Sequence, residues 1–202
     1  MSVALIFFVQ TKEKTMSFAD LLLIELQSIE KSKQKNMDTI KALLLKELAS
    51  EFNTTKKFLA LVPTDKFDWA PHAKSMKLKS LASHIAELPE WISLAIHTDG
   101  LNFATTPYEE KQIENNDDLL KLLEDSYEKG TSELMQANVE NFDKPWVLRN
   151  GEMILGEWTK YETIRVSISQ TIHHRAQLGV YLRLLNIPIP GSYGPSADEQ
   201  WF

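Results

Sequence analysis

Apolar residues recur at helical spacing along most of this chain, and the places where the rhythm stops divide it into elements. Over residues 18–33, Leu21, Leu22, Ile24, Leu26 and Ile29 fall on or near one side of a short helix. The polar, basic run 31–36 predicts a linker and a domain boundary near Met37, so residues 1–36 read as an N-terminal extension and 37–202 as the main domain. Asp38 suits an N-cap for a helix over 39–61, with Leu44, Leu48, Phe52 and Leu59 as its core stripe and Pro63 as its stop. The loop over 62–72 mixes turn residues with aromatics that require burial.

A second helix is predicted over 78–98, with Leu81, His84, Leu88, Trp91, Ile92 and Ala95 on one face. His84 therefore points inward. Pro89 lies inside this helix, frees the carbonyl of Ile85 and predicts a kink. A third helix covers 116–138, anchored by Leu119, Leu122, Leu123, Leu134 and Met135. Asn150-Gly151 between two short apolar runs signals a small hairpin. The last helix keeps its period through Ile164, Ile168, Ile172, Leu178, Leu182 and Leu185. Asn186 suits its C-terminal cap, and Pro188 cannot extend it. Four such helices without a parallel-sheet pattern predict an all-α fold, a four-helix bundle with a small hairpin before the last helix.

Composition narrows the function classes. The chain has 202 residues, 43% of them hydrophobic and 25% charged, which suits one globular domain. The net charge is −6, and residues 109–143 alone hold eleven Asp and Glu against three Lys. No basic stripe would repay phosphate binding, so a nucleic acid is not expected as a partner. Cysteine is absent, which excludes disulfides, thiolate zinc sites and cysteine nucleophiles, and fits a cytoplasmic location. No run approaches a membrane span, so no membrane partner is expected. The apolar run 3–9 lacks a basic residue before it and a cleavage site after it, unlike a secretory signal, and Met16 and Met37 are alternative starts.

The candidate chemistry is histidine chemistry. In His173-His174-Arg175, neighbouring helical side chains point about 100° apart, so His174 borders the apolar face while His173 turns away. Gln170, His174, Gln177 and Tyr181 form a polar stripe, with Gln170 and His174 at i and i+4. That stripe reads equally as a polar seam at a subunit contact, and a lone inward histidine such as His84 as a hydrogen-bonded core residue; His84 and His174 on different helices could instead share a metal. Serine-triad and phosphate-loop patterns are absent.

Several motifs in order resemble the DinB/YfiT-like family of small metalloenzymes. They are Phe67-Asp68-Trp69-Ala70-Pro71-His72, Leu81-Ala82-Ser83-His84-Ile85-Ala86-Glu87-Leu88-Pro89, the run from His173 through Gln177 and Tyr181 to Arg183, and Pro190-Gly191-Ser192-Tyr193-Gly194-Pro195 with Asp198-Glu199. The resemblance implies an up-down-down-up four-helix bundle, a homodimer, and three histidines around a divalent metal, nickel or zinc. His84 matches the ligand of the second helix. The last helix carries the other two in a His-x-x-x-His pair, of which His174 is the second while Gln170 stands at the first. Glutamine binds such ions less well than imidazole, so affinity is expected to fall or water to complete the shell. The implied activity is a metal-dependent hydrolase or low-molecular-weight-thiol transferase acting on a small-molecule substrate. The alternative is a non-catalytic dimer that has lost tight metal binding.

Overall fold

The computed structural model of the protein describes residues 18–109 and 111–200. The expectations for the apolar run 3–9 and for Met16 lie outside them. The chain divides into a unit ending at Thr39 and a second beginning at Ile40. In the first, Leu21, Leu22, Leu23, Ile24, Leu26 and Ile29 are all exposed. Helix α1 spans Phe18–Leu59 without interruption. The expected linker over 31–36 is therefore helical, and Asp38 is an interior helical residue rather than an N-cap. Lys and Gln are good helix formers, and nothing between Ile29 and Ile40 is a proline or glycine that would stop propagation.

The remaining elements belong to the second unit. They are α2 (Leu78–Glu87), α3 (Trp91–His97), β1 (Gly100–Asn102), α4 (Asn116–Gln136), β2 (Pro145–Asn150), β3 (Met153–Thr159) and α5 (Lys160–Leu184). Helices α2 and α3 are the two halves of the predicted second helix, broken by a 3-10 turn over Leu88–Glu90 that contains Pro89. The break is seated on both sides. Ser167 Oγ on α5 donates to the Leu88 carbonyl at 2.7 Å. On the other side a Cβ at Gly130 of α4 would lie 2.4 Å from the Pro89 carbonyl oxygen, so only glycine permits this approach.

The chain is mostly helical but not strictly all-α. The hairpin is present, with Gly151 at φ +60° in its turn. Its strand β2 pairs antiparallel with β3, and also parallel with β1, giving a three-stranded sheet in the order β1-β2-β3. Three residues give no alternation to read, so β1 had no sequence signal. Trp146 on β2 is wholly buried and its indole N–H donates to Thr98 Oγ1 at 3.0 Å. Lys160, also buried, donates from Nζ to the carbonyls of Ile96 and Thr98, closing the end of α3.

The core forms where Phe58 and Leu59 of α1, Leu78, Leu81, Ile85 and Ala86 of α2, Leu119 and Leu123 of α4, and Leu178 and Leu182 of α5 meet. Caps fix where the later helices begin: Asn115 with Asp118 on α4, and Thr159 with Glu162 on α5, each form a reciprocal capping box. At the end of α5, Asn186 takes φ +58°, Asn186 N–H donates to Arg183 O, and Ile187 N–H donates to Leu182 O. That is the Schellman closure expected of Asn186. No helix among the described residues is long and apolar enough to cross a membrane.

Candidate functional site

His84 lies in the last turns of α2 and His174 at the middle of α5, two helices that pack together. Their rings meet edge to face with centroids 4.9 Å apart. The two histidines expected to share a site are thus brought together. His173 is exposed, as its helical direction required, although its ring also touches that of His174 with centroids 4.9 Å apart. Of the remaining histidines, His72 Nδ1 accepts from the Lys74 backbone and His97 pairs with Glu133.

Each imidazole of the pair is tied through Nδ1. His84 Nδ1 lies 3.0 Å from Glu87 Oε1, one turn along the same helix. A carboxylate oxygen only accepts, so Nδ1 is the donor of this contact, and in the neutral ring Nε2 is the nitrogen that keeps a lone pair. His174 Nδ1 lies 2.7 Å from Gln177 Oε1, and donation to that carbonyl oxygen leaves its Nε2 in the same state. Burial holds the His174 pKa below the ordinary imidazole value. His84 and His173 push the same way, while the Gln177 hydrogen bond opposes them. A divalent metal requires neutral rings with a free nitrogen aimed at it, and the Nδ1 contacts leave Nε2 of each ring for that role.

Both rings line a cavity of about 920 Å³. Trp91 and Leu94 of α3, Leu101 of β1, Phe103 and Tyr108 form much of its apolar wall, and Glu87, Glu90 and Glu109 add carboxylates. β1 places this wall. Asn102 Oδ1 accepts from Ala104 N–H at 3.1 Å and from Gly151 N–H at 2.9 Å, while Phe103 N–H donates to Arg149 O at 2.9 Å. The loop after β1 is thereby anchored to the hairpin. Glu87 was not singled out from the sequence for its contacts, although its spacing of three from His84 is the signal that could have found it.

The donor set fits a metal in part. Among the described residues, no three His, Asp or Glu side chains group so as to hold an ion. Gln170 is exposed and does not line the cavity. An ion here would find two nitrogens, on His84 and His174, and would need oxygen donors for the rest.

Comparison with known proteins places this chain in a family. The model of the DinB family matches residues 32–201. The DinB-like protein YjoA from Bacillus subtilis is 19% identical, with a TM-score of 0.56 over 79% of this chain and 99% of that one. A DinB-like protein from Bacillus cereus is 16% identical, with a TM-score of 0.56 over 74% of this chain and 95% of that one. YfiT from Bacillus subtilis, described as a probable metal-dependent hydrolase with an unusual four-helix bundle topology, is 12% identical, with a TM-score of 0.55 over 73% and 89%. At these identities the structures share the fold. No curated protein matches the chain.

Proposed function

We propose that this chain, which belongs to the DinB family, is a divalent-metal-dependent enzyme, a hydrolase or low-molecular-weight-thiol transferase, acting as a cytoplasmic homodimer on a small molecule. The observation that carries this reading is the edge-to-face meeting of His84 and His174 at 4.9 Å, each with Nδ1 engaged in a hydrogen bond that leaves Nε2 as the nitrogen available to a metal. His84 and His174 would hold nickel or zinc, with water or another oxygen donor completing the shell, since Gln170 lies outside the cavity. A bound ion of this kind lowers the pKa of water or a thiol and polarises an electrophile.

The chain's own residues supply the rest. Glu87 and Gln177 orient the two rings. Trp91, Leu94, Leu101 and Phe103 offer a substrate's apolar part a surface and reduce its contact with water. The test is an assay of untagged protein against activated esters, amides and thiol-plus-electrophile pairs, with and without added nickel or zinc. Turnover that requires the metal and disappears in His174→Ala supports the reading. Turnover indifferent to both sinks it.

One observation favours a second reading. Gln170, which replaces the family's imidazole, is exposed rather than in the cavity. A family member that no longer binds metal tightly, and uses the cavity only to bind a small molecule, would show this. Such a protein would bind ligands equally well with and without metal.

A further inference from the structure

Glu87 is buried, 6% exposed, and engages two different walls of the cavity. Its Oε1 contacts His84 Nδ1 at 3.0 Å, and its Oε2 accepts from the Tyr108 hydroxyl at 3.3 Å. Tyr108 belongs to the exposed loop over 103–109, whose start is held by Asn102 through Ala104, Thr105 and Thr106. One carboxylate thus joins the loop to the ring.

We infer that Glu87 is a positioning residue that couples the seating of this loop to the orientation of the His84 imidazole. The inference deepens the metal reading of the same site and rests on it for its functional meaning. A carboxylate this far from water is stabilised by donors on both oxygens, and loses stability when either donor leaves. Withdrawing Tyr108 deprives Oε2 of its donor, and releasing His84 deprives Oε1 of its own. Each contact therefore supports the other through a shared buried carboxyl group. With both in place the His84 ring is fixed through its Nδ1 contact, and Tyr108 and Phe103 hold the wall opposite. Loop opening and ring rotation become one event, so a molecule that fills the cavity and seats the loop also fixes His84.

The test uses the full chain with nitrogen-labelled histidine, first free of metal. Nitrogen NMR is expected to show His84 protonated at Nδ1 in the wild type and in Glu87→Gln, whose amide oxygen can still accept. Glu87→Ala should lose that preference. Tyr108→Phe removes only the hydroxyl and should speed amide exchange over 103–109 while loosening the His84 tautomer. Nickel affinity should then fall about 10–100-fold in Glu87→Ala and much less in Glu87→Gln. A folded Glu87→Ala with an unchanged His84 tautomer overturns the inference. So does Tyr108→Phe with both loop exchange and tautomer unchanged, which keeps the test decisive even where the alanine variant fails to fold. The two readings separate cleanly. If the wild type takes up no nickel but the tautomer depends on Glu87, positioning stands and the metal reading fails. If nickel binds and neither affinity nor tautomer responds to Glu87→Ala, the reverse holds.

Discussion

Arg175 and Glu51 meet 2.6 Å apart, Nη1 to Oε2, with both side chains almost wholly removed from solvent. The contact is an ion pair without an aligned hydrogen bond at that oxygen. Around it, Arg175 also donates to Thr55 Oγ1 at 3.0 Å and to the Tyr193 hydroxyl at 3.0 Å, and that hydroxyl donates to Glu51 Oε1 at 2.8 Å. Helix α1, helix α5 and the C-terminal tail are joined at this point. Arg175 lies beside His174, so the same junction fixes the turn of α5 that carries the site. Removing one partner of such a buried pair costs about 3–5 kcal/mol, because the other charge is left uncompensated. Arg175→Met should lower stability to urea by that order. The double variant Glu51→Leu with Arg175→Met should recover much of it. A single variant with an unchanged midpoint would show that the pair is not formed in solution.

Tyr193 gives a milder perturbation of the same junction. Its ring is largely exposed while its hydroxyl reaches inward, and burial together with the Glu51 hydrogen bond raises its pKa, with Arg175 opposing. Tyr193→Phe removes one hydroxyl that serves two buried charges, a loss of about 1–3 kcal/mol. Limited proteolysis should cut the tail faster in this variant. Equal rates would mean that other contacts hold it.

The tail is pinned further on by Asp198, which receives Arg183 and the Ile189 N–H. The Arg183 hydrogen bond first, then the backbone donor, holds the Asp198 carboxyl below the usual carboxylate value. The sign follows from linkage. A depressed folded pKa adds stability above the unfolded value of about 4, and that stability is lost as pH falls through the folded value. Amide exchange in the tail should therefore accelerate as pH drops below about 4 relative to the intrinsic rate, and Asp198→Asn should show that looseness already at neutral pH.

Much of this was legible in the sequence for identifiable reasons. Helical period set the inward directions of His84 and His174, and their rings do meet. Pro89 announced the broken helix, Asn186 the closure of α5, and Asn150-Gly151 the hairpin. The roles of Arg175, Tyr193 and Asp198 were not legible. Each depends on a partner far along the chain or across a tail without periodicity, such as Glu51, which is 124 positions from Arg175. β1 escaped because a strand of three residues is defined by pairing and not by its own pattern. The continuous α1 escaped because a polar, charged run with good helix propensity looks like a linker when only its polarity is weighed.

Gln170 offers a test that separates the two functional readings. Gln170→His restores an i, i+4 imidazole pair with His174. In a protein that has lost tight binding, affinity for nickel or zinc should rise sharply. In an enzyme adapted to glutamine, turnover should stay level or fall. Isothermal titration beside the activity assay distinguishes these outcomes.

The measurement closest to the central claim is the divalent-metal content of untagged protein after loading with nickel or zinc and exhaustive dialysis, compared with His84→Ala and His174→Ala. About one ion per wild-type chain is expected on the two-imidazole set, with a loss of metal in both variants and helical content preserved. A wild type that retains no metal, or alanine variants that retain as much as the wild type, would contradict it.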